Sequence, residues 1–240
     1  MVSKSEAFTQ VLKDYVKEAG VNYVGVVAAE SVDAFPSHWI GWEIQKYTQK
    51  TTDVMEDAKA VVVIGDYLWD DVFEVAVRKD DGSWMYPGYF PVMWQTWRVA
   101  AFLEKNEYKA VAFPPLISLK RLAQLAGFGN FGKNALIINP DVGPWLRFGA
   151  VLTNASLVAD KPFEEDLCGD CNACVDVCPV GALSPYKVDD SKCLVGIHLR
   201  KEQPSKLQSV VFERFEPRLT LRAHLMCMEC QKVCKYSPRK

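Results

Sequence analysis

The chain has 240 residues and a formal net charge of −2, with 49% hydrophobic and 24% charged residues. This length and composition are typical of a globular protein with one large or two smaller domains, and they exclude a disordered chain. No apolar run approaches the roughly 18 residues of a membrane span, so no membrane partner is expected.

The hydrophobic pattern alternates between helical and extended periods through the first 160 residues. Apolar residues at helical spacing predict helices at 5–19, 92–105 and 118–126, with Gly20 and Gly127 ending the first and the third. Short apolar runs predict strands at 22–28, 60–64, 109–113, 134–138 and 147–153. This alternation indicates an α/β or α+β domain over residues 1–160.

The composition changes near residues 158–167, where Val-, Leu- and Ala-rich sequence gives way to an acidic stretch. We place a domain boundary there, with a second domain over 161–240. Within that second domain, a helix is predicted near 219–226.

All eight cysteines lie in the second domain, in the order Cys168-x2-Cys171-x2-Cys174-x3-Cys178-Pro179, Cys193, Cys227-x2-Cys230-x3-Cys234. Three thiolates at a spacing of three can come from one tight loop, and the last cysteine of such a run serves the neighbouring cluster. The spacing therefore predicts two [4Fe–4S] clusters that exchange ligands. The first set is Cys168, Cys171, Cys174 and Cys234; the second set is Cys178, Cys193, Cys227 and Cys230.

Zinc sites and disulfides are the alternatives for these cysteines. Zinc also binds C-x2-C pairs, but it does not require three cysteines at this spacing followed by Cys-Pro. Disulfides suit secreted proteins, and the first residues, MVSKSEAFTQ, lack the pattern of a signal peptide. We therefore expect a cytoplasmic protein, and an anaerobic setting because reduced clusters tolerate oxygen poorly.

The end of the chain is basic. Residues 191–240 contain 11 Lys and Arg against 4 Asp and Glu. Such a segment can bind the phosphates of a nucleic acid such as tRNA, can offset the negative charge of two clusters, or can form an ordinary solvated surface.

A glycine-rich segment, Gly127-Phe-Gly129-Asn-Phe-Gly132, matches G-x-G-x-x-G. A dinucleotide site needs this motif after a strand and before a helix, whereas here it follows a helix and precedes a strand. A nicotinamide cofactor is therefore not expected. Together with Lys133 and Asn134, the loop can still let the backbone approach a large ligand or a cluster.

Aromatic residues are dense between Tyr67 and Trp97, and they could line a planar cofactor or form a plain aromatic core or lid. The three histidines, His38, His198 and His224, lack ligand spacing and are interpreted as structural or surface residues.

Residues 122–140 (LAQLAGFGNFGKNALIINP) and 143–153 (GPWLRFGAVLT), followed by the cysteines, resemble epoxyqueuosine reductases and the related corrinoid-containing reductive dehalogenases. The resemblance covers roughly residues 90–235, and Cys193 occupies the place of an extra cluster ligand in epoxyqueuosine reductases. It implies a nitroreductase-like domain that binds cobalamin, joined to a ferredoxin-like domain whose clusters deliver electrons to cobalt. It also implies that the corrin is lined by Gly127, Gly129, Gly132, Lys133, Asn134, Gly143, Trp145 and Gly149.

The sequence departs from these relatives at the proton donor. The family's Asp precedes a proline, but the matching region here reads VAFPP at 111–115, and no Asp or Glu occurs between Tyr108 and Pro140. The related dehalogenases use a tyrosine supported by a basic residue. Tyr86 and Tyr89 are the nearest candidates for that role, and Tyr89 is the one we assign.

Two further departures concern the end of the chain. Lys235 follows Cys234 where the family usually has Pro, and the sequence ends six residues after Cys234. The helical-repeat region that many of those enzymes use for tRNA is therefore not expected.

Two classes of function follow. One is a cobalamin-dependent reductase supplied with electrons by a ferredoxin or flavodoxin. The other is a non-catalytic dicluster electron-transfer protein that reduces a small-molecule or corrinoid-protein partner.

Overall fold

The computed structural model describes residues 3–40, 44, 46–198 and 206–239. Helices α1 to α9 span Lys4–Glu18, Ala29–Asp33, Thr51–Val54, Phe90–Lys105, Leu119–Leu125, Ala173–Asp176, Leu194–His198, Lys206–Phe215 and Glu229–Lys232. Strands β1 to β7 span Tyr23–Ala28, Trp39–Ile40, Lys46–Tyr47, Ala60–Tyr67, Val75–Arg78, Trp84–Met85 and Ala110–Ala112. Strands β8 to β13 span Asn130–Phe131, Ile137–Ile138, Leu146–Thr153, Leu183–Ser184, Lys187–Val188 and Ala223–Leu225. Two 3₁₀ helices cover Asp71–Glu74 and Pro87–Tyr89.

A four-stranded sheet in the order β1-β4-β10-β7 forms the centre of the fold. All three pairings are antiparallel, so the α+β alternative of the predicted fold class is the correct one. In the register, Val62 of β4 lies opposite Val26 of β1 on one side and Val151 of β10 on the other.

Apolar cores cover both faces of this sheet. Along β4, Val61 and Val63 belong to a core with α5, whereas Val62 and Ile64 belong to a core with α1 and α4. These alternating side chains are fully buried, which stabilises the fold by about 1.5–3 kcal/mol for each of them. The uninterrupted β-branched run of β4 is thus explained by a strand with helices on either side.

Helix α1 illustrates how local sequence determines an element. Ser3 Oγ accepts a hydrogen bond from the Glu6 N–H, and the Ser3 N–H donates to Glu6 Oε2, which is a complete capping box. The helix then buries Leu12 and Val16. It ends before Gly20, whose φ of 87° is the left-handed value expected after a helix C-cap.

The cysteine-rich segment is joined to the first domain through a shared sheet. Strand β13 pairs with β5, and β5 pairs with β6, so that the predicted boundary near residue 160 separates strands of one three-stranded sheet. The division into 1–160 and 161–240 therefore remains a prediction about folding units.

The C-terminal residues pack directly on the central domain. Trp145, which is completely buried, donates from Nε1 to Ser237 Oγ at 2.7 Å. The Arg239 guanidinium lies 3.6 Å from the centre of the Trp145 ring, donates to the Leu68 carbonyl and pairs with Asp71.

Part of the basic end of the chain is used in ion pairs with the first domain. Lys232 and Arg239 both pair with Asp71, and Arg222 pairs with Asp80. None of the three explanations offered by the sequence anticipated this pairing between the two segments.

The predicted helices at 5–19, 92–105 and 118–126 are confirmed, as are the strands at 22–28, 60–64, 109–113 and 147–153. The strand at 134–138 is shorter than predicted. Only Ile137–Ile138 is extended, because the Ala135 N–H bonds to the Gly132 carbonyl in a turn.

The prediction of a helix near 219–226 is wrong. Ala223–Leu225 is a strand because it pairs with β5. The Leu219 and Thr220 N–H groups donate to the Ala223 carbonyl, which follows them in the chain, whereas in an α-helix the acceptor lies four residues earlier. Tertiary pairing overrides the helical pattern of this short segment. No helix in the described ranges has the length and apolar character to cross a membrane.

Candidate functional site

A cavity of about 700 Å³ lies between the central domain and the cysteine-rich segment. Its walls are mainly apolar and include Ile117, Leu119, Leu136, Leu146, Phe148 and Val195. Polar residues also line the same space, among them Glu74, Tyr86, Tyr89, Lys120 and Arg147. This volume and this mixture of walls are typical of a cofactor or ligand site.

Arg147 is at the centre of the polar group. It is the only charged residue of β10, and its Nη2 donates to Glu74 Oε2. The guanidinium also lies 5.3 Å from the centre of the Tyr89 ring. Burial lowers the pKa of Arg147, but Glu74 and Tyr89 more than offset this, so that the pKa is raised and the side chain stays charged.

Lys120 supplies a second cation to the cavity wall. It is the second residue of α5, the helix that Ser118 caps at its N-terminus, and its Nζ donates to the Ala135 carbonyl at 2.8 Å. Burial, together with the nearby charge of Arg147, lowers the pKa of Lys120 from 10.5 to about 8.

The second predicted set of cysteines lines this large cavity: Cys178, Cys193, Cys227 and Cys230. The Cys227 N–H donates to Glu216 Oε1 at 2.9 Å. Glu216 is 1% exposed, and its burial raises the pKa of the carboxyl group to about 8.

The first predicted set lines a separate, smaller cavity: Cys168, Cys171, Cys174 and Cys234. Lys133 and Asn134 contribute to its wall. Lys133 Nζ donates to Asn172 Oδ1 at 3.0 Å, and Asn134 Nδ2 donates to the Cys230 carbonyl at 3.3 Å. Asn134 lines both cavities and thus lies between the two cysteine sets.

The arrangement of the thiols fits the predicted ligand chemistry. All eight cysteines are free of disulfides and partly buried, and each cavity is lined by four of them. Across the described residues, no three His, Cys, Asp or Glu side chains gather closely enough to hold a single metal ion. Four thiols around one cavity are the donor set that a cubane requires.

The predicted cofactor glycines contact the protein itself. A Cβ on Gly129 would lie 2.1 Å from the Ile138 carbonyl oxygen, and one on Gly149 would lie 2.0 Å from Thr96 Oγ1. Glycine is needed at these two positions because the backbone of β9 and helix α4 come so close. Gly127, Gly132 and Gly143 face Lys161, Ile138 and Tyr236 respectively.

Among the residues assigned to the corrin, Asn134 alone lines the large cavity, and Lys133 lines the smaller one. Trp145 packs on the C-terminal residues instead. A role of these eight residues in holding a cofactor remains a prediction, and the packing contacts give the glycines a structural reason.

The aromatic stretch divides into two groups. Tyr86 and Tyr89 line the large cavity, whereas Trp69, Trp94 and Trp97 are exposed at the surface. The three exposed tryptophans are not part of an aromatic core, and the lining of a planar cofactor by this stretch remains a prediction.

The three histidines also differ in position. His38 is exposed at the edge of the large cavity, His224 packs against Trp84, and the side chain of His198 lies outside the described residues.

Sequence reasoning missed Glu74, Lys120 and Arg147 as site residues. Arg147 carried a signal, since a single charge within an apolar strand requires a partner. Glu74 and Lys120 carried no such signal in the sequence, because their proximity to Arg147 depends on how separate segments of the chain pack together.

Comparison with known proteins defines the class of this chain. Residues 167–237 match the 4Fe-4S double cluster binding domain. The chain is therefore an iron–sulfur protein that combines a dicluster domain with an α+β domain.

The curated relatives compared with this chain are epoxyqueuosine reductases. Epoxyqueuosine reductase of Yersinia pestis is 37% identical over 140 residues, which is 56% of this chain and 32% of the relative. The enzyme of Escherichia coli (strain K12) is 34% identical over 117 residues, which is 48% of this chain and 29% of the relative. The matched region thus spans about a third of the length of these relatives.

Solved structures show the same fold. A crystal structure of epoxyqueuosine reductase aligns with this chain at a TM-score of 0.73 and 21% identity. The alignment covers 96% of this chain and 65% of the reductase chain. A reductive dehalogenase structure aligns with 98% of this chain and 32% of its own, with a TM-score of 0.65 and 17% identity. The predicted resemblance is confirmed: the chain is similar in sequence to epoxyqueuosine reductases, and it shares its fold with a reductive dehalogenase.

Proposed function

We propose that this protein is an iron–sulfur reductase in which two [4Fe–4S] clusters supply electrons to a cobalamin bound in the large cavity. One observation carries the proposal: Cys178, Cys193, Cys227 and Cys230 line the same cavity as Tyr89, Lys120 and Arg147. A cluster on these thiols would therefore face the bound cofactor directly.

Each cluster would be held by one of the two cysteine sets, and the large cavity would hold the corrin between its apolar walls. When bound, the clusters and the cobalamin supply one-electron transfer and a metal-centred reductant. The chain supplies the thiolates, a mainly apolar cavity and the polar groups that orient and protonate a substrate.

We assign the role of proton donor to Tyr89. Its ring lies under the Arg147 guanidinium at 5.3 Å, and its side chain is 39% exposed at the cavity. A cation beside a tyrosine stabilises the phenolate that remains after the proton has left. No carboxylate occupies the sequence position of the family's Asp, so a tyrosine with basic support is the alternative that the relatives suggest.

The substrate class is part of the proposal. Relatives include an epoxyqueuosine reductase solved with a modified tRNA stem loop and a structure described for B12-dependent dehalogenation. An epoxide on tRNA and an organohalide are therefore the two substrates to compare. A ferredoxin or a flavodoxin is the electron donor that we expect.

Cofactor binding is tested by anaerobic reconstitution of the chain with iron, sulfide and cobalamin, followed by gel filtration. The reductase proposal expects the corrinoid absorbance to travel with the protein. If the clusters are retained and the cobalamin is not, the chain is instead a non-catalytic electron-transfer protein.

The role of Tyr89 is tested with Tyr89→Phe. Loss of a general acid lowers turnover by about 10²- to 10⁴-fold, so turnover should fall in that range while cobalamin retention is unchanged. Tyr15→Phe, on the distant helix α1, serves as the matched control and should keep full turnover. Unchanged turnover in Tyr89→Phe, or an equal loss in both variants, would contradict the assignment.

A further inference from the structure

We propose that Glu74 and Arg147 form a recognition site for one neutral polar group that both donates and accepts hydrogen bonds, such as a carboxamide. The site deepens the proposed function, because it rests on the large cavity being a ligand site. It does not depend on the identity of the cofactor.

Glu74 is held rigidly at the cavity wall. It ends the 3₁₀ helix Asp71–Glu74 and is 2% exposed. Its backbone carbonyl accepts a hydrogen bond from the Met226 N–H at 2.8 Å, so both its main chain and its side chain are fixed.

Each member of the pair has one buried polar atom without a hydrogen-bond partner among the described residues. Glu74 Oε2 accepts from Arg147 Nη2, but Glu74 Oε1 and Arg147 Nε have no hydrogen-bond partner among the described residues. Buried polar atoms without partners are rare in folded proteins, because they lose water without a replacement. Since both residues line the cavity, a ligand there can supply the missing partners.

The two atoms differ in the hydrogen bonds that they can form. Glu74 Oε1 can only accept a hydrogen bond, and Arg147 Nε can only donate one. A group with one polar hydrogen and one acceptor oxygen satisfies both. A carboxylate would place its charge against Glu74, and an ammonium would place its charge against Arg147 and Lys120.

Two molecules could present such a group. Cobalamin carries carboxamide side chains around its corrin ring, and a substrate could carry a carboxamide or a hydroxyl. The chemistry of recognition is the same in both cases, and the experiment separates the two sources.

The experiment measures binding by isothermal titration calorimetry to the full chain loaded anaerobically with its clusters. The probes are benzamide, benzoate and benzylamine, which share one ring and differ in charge. The expected result is that benzamide binds most tightly to the unmodified protein.

The variant Glu74→Gln presents an N–H where the unmodified protein presents an acceptor. Its affinity for benzamide should fall about tenfold, and its affinity for benzoate should rise. Glu104→Gln, an exposed change near the end of α4, is the matched control and should leave all three affinities unchanged. Cluster absorbance and circular dichroism confirm that each variant is folded. If Glu74→Gln does not fold, Arg147→Lys is the second variant, because it removes the Nε donor and keeps the charge. Its affinity for benzamide should also fall about tenfold.

Repeating the titrations with cobalamin present identifies the source of the group. If cobalamin abolishes benzamide binding and Glu74→Gln lowers the affinity for cobalamin about tenfold, the cofactor supplies the polar group that the pair recognises. If benzamide binds equally well with cobalamin present, the substrate supplies it. Both results support the pair as a recognition site.

The proposal is overturned if Glu74→Gln changes the affinities for benzamide and cobalamin by less than about twofold. It is also overturned if the unmodified protein prefers benzoate or benzylamine. If the protein selects benzamide but retains no cobalamin, the proposed function is contradicted and this recognition site is still supported.

Discussion

Replacing Cys193 with Ala is expected to remove one iron–sulfur cluster and to leave the other intact. Cys193 lines the large cavity with Cys178, Cys227 and Cys230, while the other four cysteines line the smaller cavity. With four ligands for each cluster, the unmodified chain should bind about eight irons, and the variant about four.

The cost of the substitution to the fold itself is small. Cys193 is half-buried, and its N–H donates to the Asp189 carbonyl at 3.0 Å, a bond that alanine keeps. Removing the sulfur should destabilise the chain by about 1 kcal/mol before cluster loss is counted. A loss of iron therefore reports on ligation.

The matched control is Cys234→Ala, which should remove the cluster of the smaller cavity and leave that of the large one. Cys178→Ala gives a sharper comparison. It should resemble Cys193→Ala rather than Cys174→Ala, although Cys178 and Cys174 are only four residues apart.

The assay is iron analysis together with electron paramagnetic resonance of the reduced, anaerobically prepared proteins. Two reduced clusters in one chain produce a spin-coupled signal, whereas a single cluster produces a simple one. Retention of all iron in Cys193→Ala, or the same residual signal in Cys193→Ala and Cys234→Ala, would refute the ligand sets.

Two further predictions concern stability. Because the pKa of Lys120 is lowered to about 8 in the folded chain from 10.5, the unfolded chain binds more protons between these pH values. Stability relative to Lys120→Met should therefore rise as the pH increases from about 8 to 10.5, by at most ~1.4 kcal/mol per pH unit; a constant difference in melting temperature across that range would contradict this. Arg239→Ala should lower the free energy of local unfolding of the C-terminal residues by about 2–4 kcal/mol, because it removes a charged hydrogen bond to Leu68 and a cation–π contact with Trp145. Hydrogen exchange at the Ser237 amide, which bonds to the Cys234 carbonyl, should then accelerate by roughly 30- to 700-fold, and a change below threefold would show that the tail is held by other contacts.

The helices and strands of the central domain could be predicted from sequence because their signals are local. The β-branched run of β4 and the apolar spacing of α4 each fit one period and one element. Strand β13 could not be predicted in this way. Its extended form depends on pairing with β5 at Val75–Arg78, and the paired residues are 146 to 150 positions apart in the chain.

The cysteines were the other local signal, since the spacing of ligands follows from the geometry of one loop. The glycines were ambiguous for a physical reason. A glycine shows that something comes close to the backbone, but the sequence does not say whether that is a ligand or the protein itself. At Gly129 and Gly149 the close neighbours are Ile138 and Thr96.

The positions of the cysteines give the proposed electron path a direction. Cys174 and Cys178 belong to one sequence run, but Cys174 lies within helix α6 and lines the smaller cavity, whereas Cys178 follows the end of that helix and lines the large one. Asn134 borders both cavities and donates to the Cys230 carbonyl, which places the two cysteine sets side by side. Since only the second set shares the large cavity with Tyr89 and Arg147, we infer that electrons enter through the cluster at Cys168–Cys174 and leave through its neighbour. In Cys234→Ala, reduction of bound cobalamin by an external protein donor should accordingly slow even though the cluster beside the cavity remains.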